Sequence, residues 1–364
     1  MSQFAFHSPV KAFFGFNAIE NFKELLKPYR RVCVVSGRKS IDATGFKKYL
    51  NEHFKTTDFF YFSEIEENPS INTIIKGAKF ARENKADLII GFGGGSPLDA
   101  SKAIAAFATN NKGFYELLSE PKLENEPLPL IAVPTTCGTG SEMNNYAIIT
   151  DTEKMDKVNF AKENTFPKYA VIDPVFLRSL DQKTIYATAF DAITHALEGF
   201  ISTKANPFSD STAITAMEII MSTFAAGADV KEDETLVNFL YGSSLAGITI
   251  LHTGTTLLHA LGYWLTNEKK IHHGTANIIL LPYYLEMLRD KGVERYAVIA
   301  GLMQKHELDI ARWQDAVGYD VSLKDILKPE EIEAMVDYAL TKPNCQLTPF
   351  EVEKDYVLGI LTKY

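Results

Sequence analysis

Gly-Phe-Gly-Gly-Gly-Ser-Pro-Leu-Asp, residues 91–99, lies between the apolar run Ala86 to Ile90 and a helical pattern. Its three consecutive glycines, Gly93, Gly94 and Gly95, let a backbone approach a bulky anion closely. We expect Ser96 to cap the next helix and Pro97 to begin it, so that free N–H groups and a positive dipole end face a phosphate. The stretch therefore predicts a cradle for the phosphates of a nucleotide. A plain tight turn is the alternative, because the run differs from the Gly-x-Gly-x-x-Gly fingerprint that follows a first strand.

The two halves of the chain differ in their hydrophobic periodicity. Up to about residue 180, short apolar runs alternate with helical patterns, which predicts a parallel sheet covered by helices. These runs are Arg31 to Val35, Phe59 to Phe62, Ala86 to Ile90, Leu128 to Val133 and Tyr169 to Ile172. After Pro174, spacings of three and four between apolar residues predict helices over 184–200, 211–224, 234–251 and 278–289. We therefore predict an α/β domain over residues 1–177 and an all-α domain over residues 178–364.

The composition limits the classes of partner. The chain has 364 residues, of which 46% are hydrophobic, so it can bury a large core. Its 37 basic and 46 acidic residues give a net charge of -9, which argues against a nucleic-acid partner. The sequence has no apolar run of about 18 residues and no signal-like start, so we predict a cytoplasmic protein without a membrane partner. The three cysteines, Cys33, Cys137 and Cys345, are scattered, so a bound metal would use nitrogen and oxygen ligands.

A second candidate cofactor segment, Pro134-Thr-Thr-Cys-Gly-Thr-Gly-Ser-Glu142, follows the apolar run Leu128 to Val133. It places four hydroxyl groups and two glycines within nine positions, and such small residues can wrap a ligand without filling the site. An ordinary Ser/Thr turn is the alternative, but the triple-glycine turn one strand earlier favours a cofactor site. Cys137 in this segment is either a reactive thiol or a small buried residue that tolerates close packing.

The loop after the first predicted strand indicates which dinucleotide binds. An NAD-selective site commonly places an aspartate there to accept a hydrogen bond from the adenosine ribose. In this chain Gly37 leaves room instead, and Arg38, Lys39 and Ser40 could bind a 2'-phosphate. We therefore predict a preference for NADP over NAD, with a solvated basic loop as the alternative.

One aspartate and three histidines in the helical half form a candidate metal site. Asp191 and His195 stand at i and i+4 of a predicted helix, hence on one face, and this spacing suits a shared metal ion. His259 and His273, fourteen residues apart, would complete a set of three nitrogen ligands and one oxygen ligand. Such a set suits Zn(II) or Fe(II) with one position open for a substrate oxygen. Each histidine taken alone is more often an ordinary core or surface residue.

Five motifs along the chain stand in the order found in one enzyme family. They are Gly93-Gly-Gly-Ser-Pro-Leu-Asp-Ala-Ser-Lys-Ala103, Pro134-Thr-Thr-Cys-Gly-Thr-Gly-Ser-Glu-Met143, Asp191-Ala-Ile-Thr-His-Ala-Leu-Glu-Gly199, Ser244-Leu-Ala-Gly247 and His273-Gly-Thr-Ala-Asn-Ile-Ile-Leu-Leu-Pro282. Over nearly its full length the chain resembles the iron-containing (group III) alcohol dehydrogenases, whose fold is similar to that of dehydroquinate synthases. The resemblance implies an N-terminal dinucleotide-binding α/β domain, a C-terminal helical metal-binding domain, a divalent metal in the cleft and a homodimer.

The resemblance also implies roles for individual residues. The metal ligands would be Asp191, His195, His259 and His273. The pyrophosphate and the nicotinamide would contact Gly93, Gly94, Gly95, Ser96 and Asp99. Further cofactor contacts would come from Thr135, Thr136, Thr139, Ser141 and Lys157.

The chain departs from the family pattern four residues after His259. Many members have a second histidine there, proposed to relay protons, whereas this chain has Tyr263. A tyrosine with an ordinary pKa of about 10 needs tuning to exchange protons at pH 7. Tyr263 and His272 are therefore the candidate proton relays, with His252 as a further one. Some short relatives with such a tyrosine act on functionalised aldehydes, sugars among them.

The function predicted from the resemblance is reversible hydride transfer between nicotinamide and a primary alcohol or aldehyde, with a metal polarising the substrate oxygen. A lyase of the dehydroquinate synthase type is one alternative, but it would need several basic residues to bind a phosphorylated acid. Between Thr184 and Pro282 the basic residues are Lys204, Lys231, Lys269 and Lys270. A nucleotide sensor that has lost its chemistry is the other alternative.

Overall fold

The computed structural model describes residues 3–154, 156–319 and 321–363, which form two compact units. The first, here called the sheet unit, consists of His7–Thr136 and Gly140–Ser179. The second, here called the helical unit, consists of Cys137–Thr139 and the described residues of Met1–Phe6 and Leu180–Tyr364. The predicted division into an α/β domain and an all-α domain, with a boundary after residue 177, stays a prediction.

The sheet unit is built on a parallel sheet whose strand order is β1-β8-β5-β4-β2-β3. The strands are β1 Lys11–Phe14, β2 Arg31–Gly37, β3 Asp58–Ile65, β4 Leu88–Gly93, β5 Leu130–Pro134, β6 Ile148–Asp151, β7 Asp156–Asn159 and β8 Tyr169–Ile172. The central strands β4 and β5 are buried along their whole length. Burial on both faces explains why they appear in the sequence as continuous apolar runs. The parallel sheet predicted from the sequence is therefore confirmed.

Three of these strands were not predicted from the sequence. Strand β1 is mostly exposed, so it lacks the long apolar run of a buried strand. Strands β6 and β7 pair with each other as a separate antiparallel hairpin with several polar residues. Because β1 precedes the predicted strands, the strand before the glycine run is the fourth in the chain and not the third.

Helices cover the sheet and make up the helical unit. In the sheet unit they are α1 Phe22–Leu25, α2 Ser40–Ala43, α3 Phe46–His53, α4 Ile71–Glu83, α5 Gly95–Thr109 and α6 Phe114–Ser119. In the helical unit they are α7 Gln182–Ile201, α8 Pro207–Ala225, α9 Asp233–Thr253, α10 Leu257–Lys269, α11 His273–Asp290, α12 Tyr296–Lys305, α13 Ile310–Ala316, α14 Leu323–Ile326, α15 Pro329–Leu340 and α16 Lys354–Leu361. No described strand follows residue 174, as the sequence predicts. Among the described residues, no helix is both long and apolar enough to cross a membrane.

Helix α7 lies at the centre of the helical unit and is in contact with α8, α9 and α11. Every residue from Ile185 to Ile201 is buried. A helix that is buried on all sides is normally apolar on all sides, so its polar side chains need a reason to be there. Those with a carboxylate or an imidazole are Asp191, His195 and Glu198.

Candidate active site

The glycine run forms the start of helix α5, but not in the way the sequence predicts. The helix begins at Gly95 with Gly94 as its N-cap, and no side-chain cap is present among the described residues. Ser96 is therefore not the cap, and its Oγ instead accepts a hydrogen bond from Asn68 N at 3.1 Å. Pro97 lies in the first turn rather than beginning the helix. A helix start without a side-chain cap keeps its first N–H groups for an anion, which fits a pyrophosphate.

Two glycines permit a close approach of backbone segments at this point. Gly93 ends β4 with φ +146°, a conformation that favours glycine, and a Cβ there would lie 2.6 Å from Pro97 Cγ. A Cβ on Gly94 would lie 3.0 Å from Thr136 Cγ2. The loop after β5 is also tied to β4, because Thr135 N donates to Gly93 O at 2.9 Å. The structure thus brings the glycine run together with Thr135 and Thr136 of the second predicted segment.

Asn68 connects two further predicted cofactor residues. Its backbone N donates to Ser96, and its Oδ1 accepts a hydrogen bond from Lys157 Nζ at 2.9 Å. Asn68 has a positive φ of 57° and is followed by a proline in the sequence. Sequence analysis missed this residue, although an Asn-Pro pair is a turn signal.

The Asp99 carboxylate is held by neighbouring groups of the sheet unit. Its Oδ1 accepts a hydrogen bond from Ser141 Oγ, and its Oδ2 accepts one from Ile148 N at 3.0 Å. Burial raises the pKa of Asp99, while Lys102 and the hydrogen bond from Ser141 oppose that shift. Asp99 therefore does not cap α5.

Lys102 is a buried lysine that sequence analysis quoted within a motif without assigning it a role. Its Nζ donates to Ser141 Oγ at 2.7 Å, to Asn144 Oδ1 at 3.1 Å and to Tyr146 O at 2.7 Å. It also lies 3.6 Å from Asp99 Oδ1. Burial lowers the pKa of Lys102 to about 8, although nearby carboxylates oppose the shift. The lysine and Asp99 together hold the 141–146 segment against the first turns of α5.

The remaining predicted cofactor residues lie in different parts of the chain. Gly37 ends β2, which neighbours β4 in the sheet, and Ser40 begins α2. The Ser40 hydroxyl is buried and has no hydrogen-bond partner among the described residues. Thr139 belongs to the short segment assigned to the helical unit. In that segment burial raises the pKa of Cys137 to about 12, which favours the packing role over a reactive thiol.

The four candidate metal ligands converge inside the helical unit. Single ligand atoms of Asp191, His195 and His259 all lie within 4.8 Å of one another. Asp191 Oδ1 is 3.6 Å from His259 Nε2 and 3.8 Å from His273 Nε2. Three of these side chains are buried, and that of His273 is 25% exposed. Three imidazoles and one carboxylate fit Fe(II) or Zn(II), and the partly exposed member leaves the centre open on one side.

Each of the three imidazoles has a further partner on its Nδ1 atom. His195 Nδ1 is 3.3 Å from Gly138 O, and His273 Nδ1 is 3.2 Å from Thr266 Oγ1. His259 Nδ1 is hydrogen-bonded to Glu198 Oε2. Histidines that bind metals commonly use their second ring nitrogen in this way, which orients the ring and selects its tautomer.

Charges within this cluster shift the pKa values of its members. Burial raises the pKa of Asp191, but the nearby His195, His273 and His259 outweigh burial and bring the pKa below its ordinary value. Burial lowers the pKa of His195. Burial also lowers the pKa of His259, but the Glu198 and Asp191 carboxylates bring it to about 9. The charge of each group in this cluster thus depends on its neighbours, and the carboxylates attract positive charge.

Two polar residues of this cluster lie within the motifs quoted from the sequence but were assigned no role there. Glu198 is fully buried and accepts hydrogen bonds at the start of α10. Asn277 Nδ2 lies 3.1 Å from Asp191 Oδ1, 3.2 Å from His259 Nε2 and 3.4 Å from His273 Nε2. A signal was present, because Glu198 stands seven residues after Asp191 and Asn277 four residues after His273.

The candidate proton relays differ in their surroundings. The Tyr263 ring stacks on His273 with centroids 5.3 Å apart and meets His259 edge-on at 6.2 Å. Burial raises the pKa of Tyr263, and the Glu198 and Asp191 carboxylates add to that rise. His272 is exposed at the N-cap of α11, and His252 stacks on Phe6 with centroids 4.4 Å apart. Tyr263 is therefore the relay candidate that adjoins the rings of the candidate ligands His259 and His273.

Comparisons with known proteins agree with this arrangement of motifs. Residues 9–174 match the family model for iron-containing alcohol dehydrogenase, and residues 185–364 match the model for the C-terminal part of the Fe-containing alcohol dehydrogenase family. The chain belongs to the iron-containing alcohol dehydrogenase family. The family resemblance inferred from the five motifs is thereby confirmed.

Three similar proteins illustrate the relationship. Alcohol dehydrogenase 4 of Saccharomyces cerevisiae is 31% identical over 98% of this chain and 97% of that protein. An NADPH-dependent butanol dehydrogenase of Clostridium saccharobutylicum is 30% identical over 81% of this chain and 76% of that protein. The crystal structure of an iron-containing alcohol dehydrogenase from Thermotoga maritima has a TM-score of 0.85, with 31% identity and 99% of each chain covered.

Membership of the iron-containing alcohol dehydrogenase family confirms the predicted fold and the predicted class of enzyme. The protein is a metal-dependent oxidoreductase that uses a nicotinamide cofactor and acts on a small alcohol or aldehyde. The roles assigned to individual residues stay predictions, as do the substrate and the choice between NAD and NADP.

Proposed function

We propose that this protein is an NADP-preferring dehydrogenase that interconverts a primary aldehyde and its alcohol, with a functionalised or sugar-like aldehyde as substrate. The observation that carries the metal-dependent part of the proposal is the convergence of Asp191, His195, His259 and His273 in the helical unit. A tyrosine at position 263, beside the ligand rings, supports a polar substrate rather than a long alkyl chain.

The four converging side chains are proposed as the ligands of Fe(II) or Zn(II). A divalent ion held by them supplies a Lewis acid that polarises the substrate oxygen. Asp191 contributes the negative charge of the ligand set, and the three imidazoles contribute neutral nitrogen donors. Asn277 Nδ2 lies within hydrogen-bond distance of three of the proposed ligand atoms.

The start of α5 is proposed to bind the cofactor pyrophosphate through its uncapped N–H groups, with Gly93, Gly94, Gly95 and Ser96 forming the cradle. Lys102 and Ser141 position Asp99 for the nicotinamide end of the cofactor. Thr135, Thr136, Thr139 and Lys157 are proposed as further contacts.

The preference for NADP rests on the loop after β2. Gly37 stands where an NAD-selective site commonly has an acidic residue, and Arg38 and Lys39 follow it. The Ser40 hydroxyl is buried and lacks a hydrogen-bond partner among the described residues, and we propose that a 2'-phosphate supplies that partner. The similarity to an NADPH-dependent butanol dehydrogenase supports the same preference.

Tyr263 is proposed to hydrogen-bond the substrate beside the ligand rings. Its stacking on His273 holds its hydroxyl group in a defined direction. The alternative relay, His272, is exposed at the start of α11 and stays a prediction. The predicted homodimer and the predicted cytoplasmic location also stay predictions.

The experiment that tests the function measures NADPH oxidation by metal-stripped protein. Short, branched, hydroxylated and phosphorylated aldehydes are supplied, with Fe(II) or Zn(II) restored in turn. We expect turnover only after metal is restored, and none in the His273→Ala variant, which should also retain no metal. His53→Ala, which removes an exposed histidine of α3, is the control. A metal-free, active His273→Ala variant would show that the ligand assignment is wrong.

The cofactor preference is tested separately with the best aldehyde from that panel. We expect a higher kcat/KM for NADPH than for NADH, and we expect Arg38→Ala to reduce the difference. Equal or better efficiency with NADH in the unmodified protein contradicts the preference.

The two alternative functions predict other outcomes. Phosphate release from a phosphorylated sugar acid without net NADPH consumption would favour the lyase. NADPH binding without turnover on any aldehyde would favour the nucleotide sensor.

A further inference from the structure

Glu198 is a fully buried carboxylate on the face of α7 that also carries Asp191 and His195. The three residues stand at i, i+4 and i+7, which places them on one side of the helix. A buried carboxylate is costly unless hydrogen bonds satisfy both of its oxygens. The two Glu198 oxygens have different partners, and this division of partners indicates its role.

The first oxygen, Oε1, is used by the start of helix α10. It accepts hydrogen bonds from Thr256 N at 2.9 Å, from Thr256 Oγ1 at 2.6 Å and from His259 N at 3.2 Å. Helix α10 has no side-chain cap from its own N-cap residue, Thr256, among the described residues. The negative charge of Glu198 therefore satisfies the first N–H groups of α10 and lies at the positive end of its dipole.

The second oxygen, Oε2, accepts a hydrogen bond from His259 Nδ1. A carboxylate offers only acceptors, so the proton of the neutral imidazole is kept on Nδ1. The other nitrogen, Nε2, then carries the lone pair, and it lies 3.6 Å from Asp191 Oδ1 among the proposed metal ligands. Because three donors at the start of α10 hold Oε1, the carboxylate keeps one orientation, with Oε2 facing His259 Nδ1.

We propose that Glu198 is a positioning residue that keeps the Nδ1–H tautomer of His259 and thereby directs its Nε2 lone pair to the metal. The proposal rests on the proposed metal centre and adds a residue that does not itself bind the ion. Metal binding displaces any proton on Nε2, while the Nδ1 proton stays in the hydrogen bond to Glu198.

The variant Glu198→Gln tests this role because it keeps the size of the side chain. The three donors at the start of α10 retain the amide oxygen in the place of Oε1, so the amide NH2 group faces His259 Nδ1. A donor in that place makes Nδ1 an acceptor and moves the imidazole proton to Nε2, where the proton competes with the ion. We expect a folded protein with Zn(II) affinity lower by about 10- to 100-fold, the usual effect of losing such a partner.

The measurement is competition for Zn(II) between metal-stripped protein and a chromogenic chelator, with folding checked by circular dichroism and thermal unfolding. Thr256→Ala is the matched control, because it removes one hydrogen bond to Oε1 and leaves the contact of Oε2 with His259. We expect this control to lower the melting temperature without changing Zn(II) affinity. If Glu198 only stabilises the fold, Glu198→Gln and Thr256→Ala should both bind Zn(II) with the affinity of the unmodified protein. That result would overturn the proposal.

A second readout does not depend on any variant at position 198. The nitrogen chemical shifts of 15N-labelled histidine report the tautomer in unmodified, metal-free protein at a pH above the His259 pKa of about 9, where the ring is neutral, with His259 assigned from a His259→Gln variant. A proton on Nδ1 of neutral His259 supports the proposal, and a proton on Nε2 alone overturns it. Absence of Zn(II) binding in the unmodified protein would refute the proposed metal centre itself. Equal Zn(II) binding by the unmodified protein and the Glu198→Gln variant would refute only the role of Glu198.

Discussion

Gly274 is a residue at which helices α7 and α11, which carry proposed metal ligands, come into direct contact. A Cβ atom there would lie 1.9 Å from Ala187 O and 3.1 Å from Asp191 Cβ. The nearest atom is backbone, which cannot move aside as the end of a flexible side chain could. The glycine that follows the proposed ligand His273 is therefore required by helix packing rather than by chain flexibility.

We expect Gly274→Ala to destabilise the protein by about 2–3 kcal/mol and to weaken metal binding, since α7 and α11 must separate. Gly301→Ala is the control, because a Cβ at this exposed position of α12 meets nothing within 4 Å. The control should be neutral or stabilising by roughly 0.5–1 kcal/mol, as alanine favours a helix. Thermal unfolding and Zn(II) titration of both variants check this, and equal melting temperatures would contradict the packing argument.

Lys102 is a buried charge that holds Asp99 and Ser141 of the proposed cofactor site. We expect Lys102→Met to destabilise the protein by about 3–5 kcal/mol, because it leaves Asp99 without its nearby cation and three acceptors without their donor. Affinity for NADPH should fall as well, since Ser141 and Asp99 lose their position. Lys79→Met on α4, where the lysine side chain is 69% exposed, should change stability by less than about 0.5 kcal/mol. Denaturant unfolding and NADPH fluorescence titration measure both effects, and similar values for the two variants would argue against this role.

Among the elements, α7 combines a buried middle with an exposed, well-capped start. Asp181 is its N-cap, with Oδ1 accepting from Thr184 N at 2.8 Å and Oδ2 accepting from Thr184 Oγ1 at 3.0 Å. These hydrogen bonds lower the pKa of Asp181, the one from Thr184 N having the largest effect. The cap stabilises the helix that carries Asp191 and His195 without contacting either residue.

We expect Asp181→Ala to reduce stability by about 1 kcal/mol at pH 7, a typical value for the loss of an N-cap. Because the folded pKa lies below the unfolded value of about 3.9, the cap contributes fully above that pH and is lost as the pH falls through the folded pKa. The difference between the two proteins should therefore shrink below about pH 4. Asp181→Asn keeps a capping oxygen and should match the unmodified protein at pH 7. Thermal unfolding at pH 7 and pH 3.5 checks this, and a difference independent of pH would exclude the charged cap as its cause.

Helix α5 shows why a boundary predicted from residue type can be wrong. Ser96 and Pro97 are common at helix starts, yet the helix begins at Gly95 and Ser96 Oγ bonds Asn68 instead. Asn68 lies 28 residues earlier in the chain, and its position depends on the loop after β3. No local pattern contains that contact, so the capping rule failed there while it held for Asp181.

For the whole molecule, metal binding and folding of the helical unit should be coupled. The proposed ligands come from α7, α10 and α11, so an ion bound there stabilises only the folded arrangement. We expect Zn(II) at about 100 times its Kd to add about 2.7 kcal/mol of stability, which a chelator removes. Differential scanning calorimetry with and without chelator measures this shift. The His273→Ala variant is the control, and an equal Zn(II) shift in that variant would place the ion elsewhere.

Several features were predictable from the sequence because they depend on local patterns. Buried parallel strands appear as apolar runs, and the helices after residue 174 appear as spacings of three and four, so fold class and most strands were predicted. The exposed strand β1 and the polar hairpin β6–β7 were missed because neither has an apolar run. Asp191 and His195 could be paired from sequence, since i and i+4 share a face of one helix.

The sequence by itself determined the parallel sheet, the helical half and the family, together with the residue types of the proposed metal and cofactor sites. Only the tertiary structure decided that His259 and His273 meet Asp191, and that Glu198 and Asn277 join them, because these contacts cross between helices. It also decided that Lys102 is buried beside Asp99 and Ser141. The physical reason is that periodicity specifies which side of an element is buried, whereas packing between elements specifies which buried groups touch.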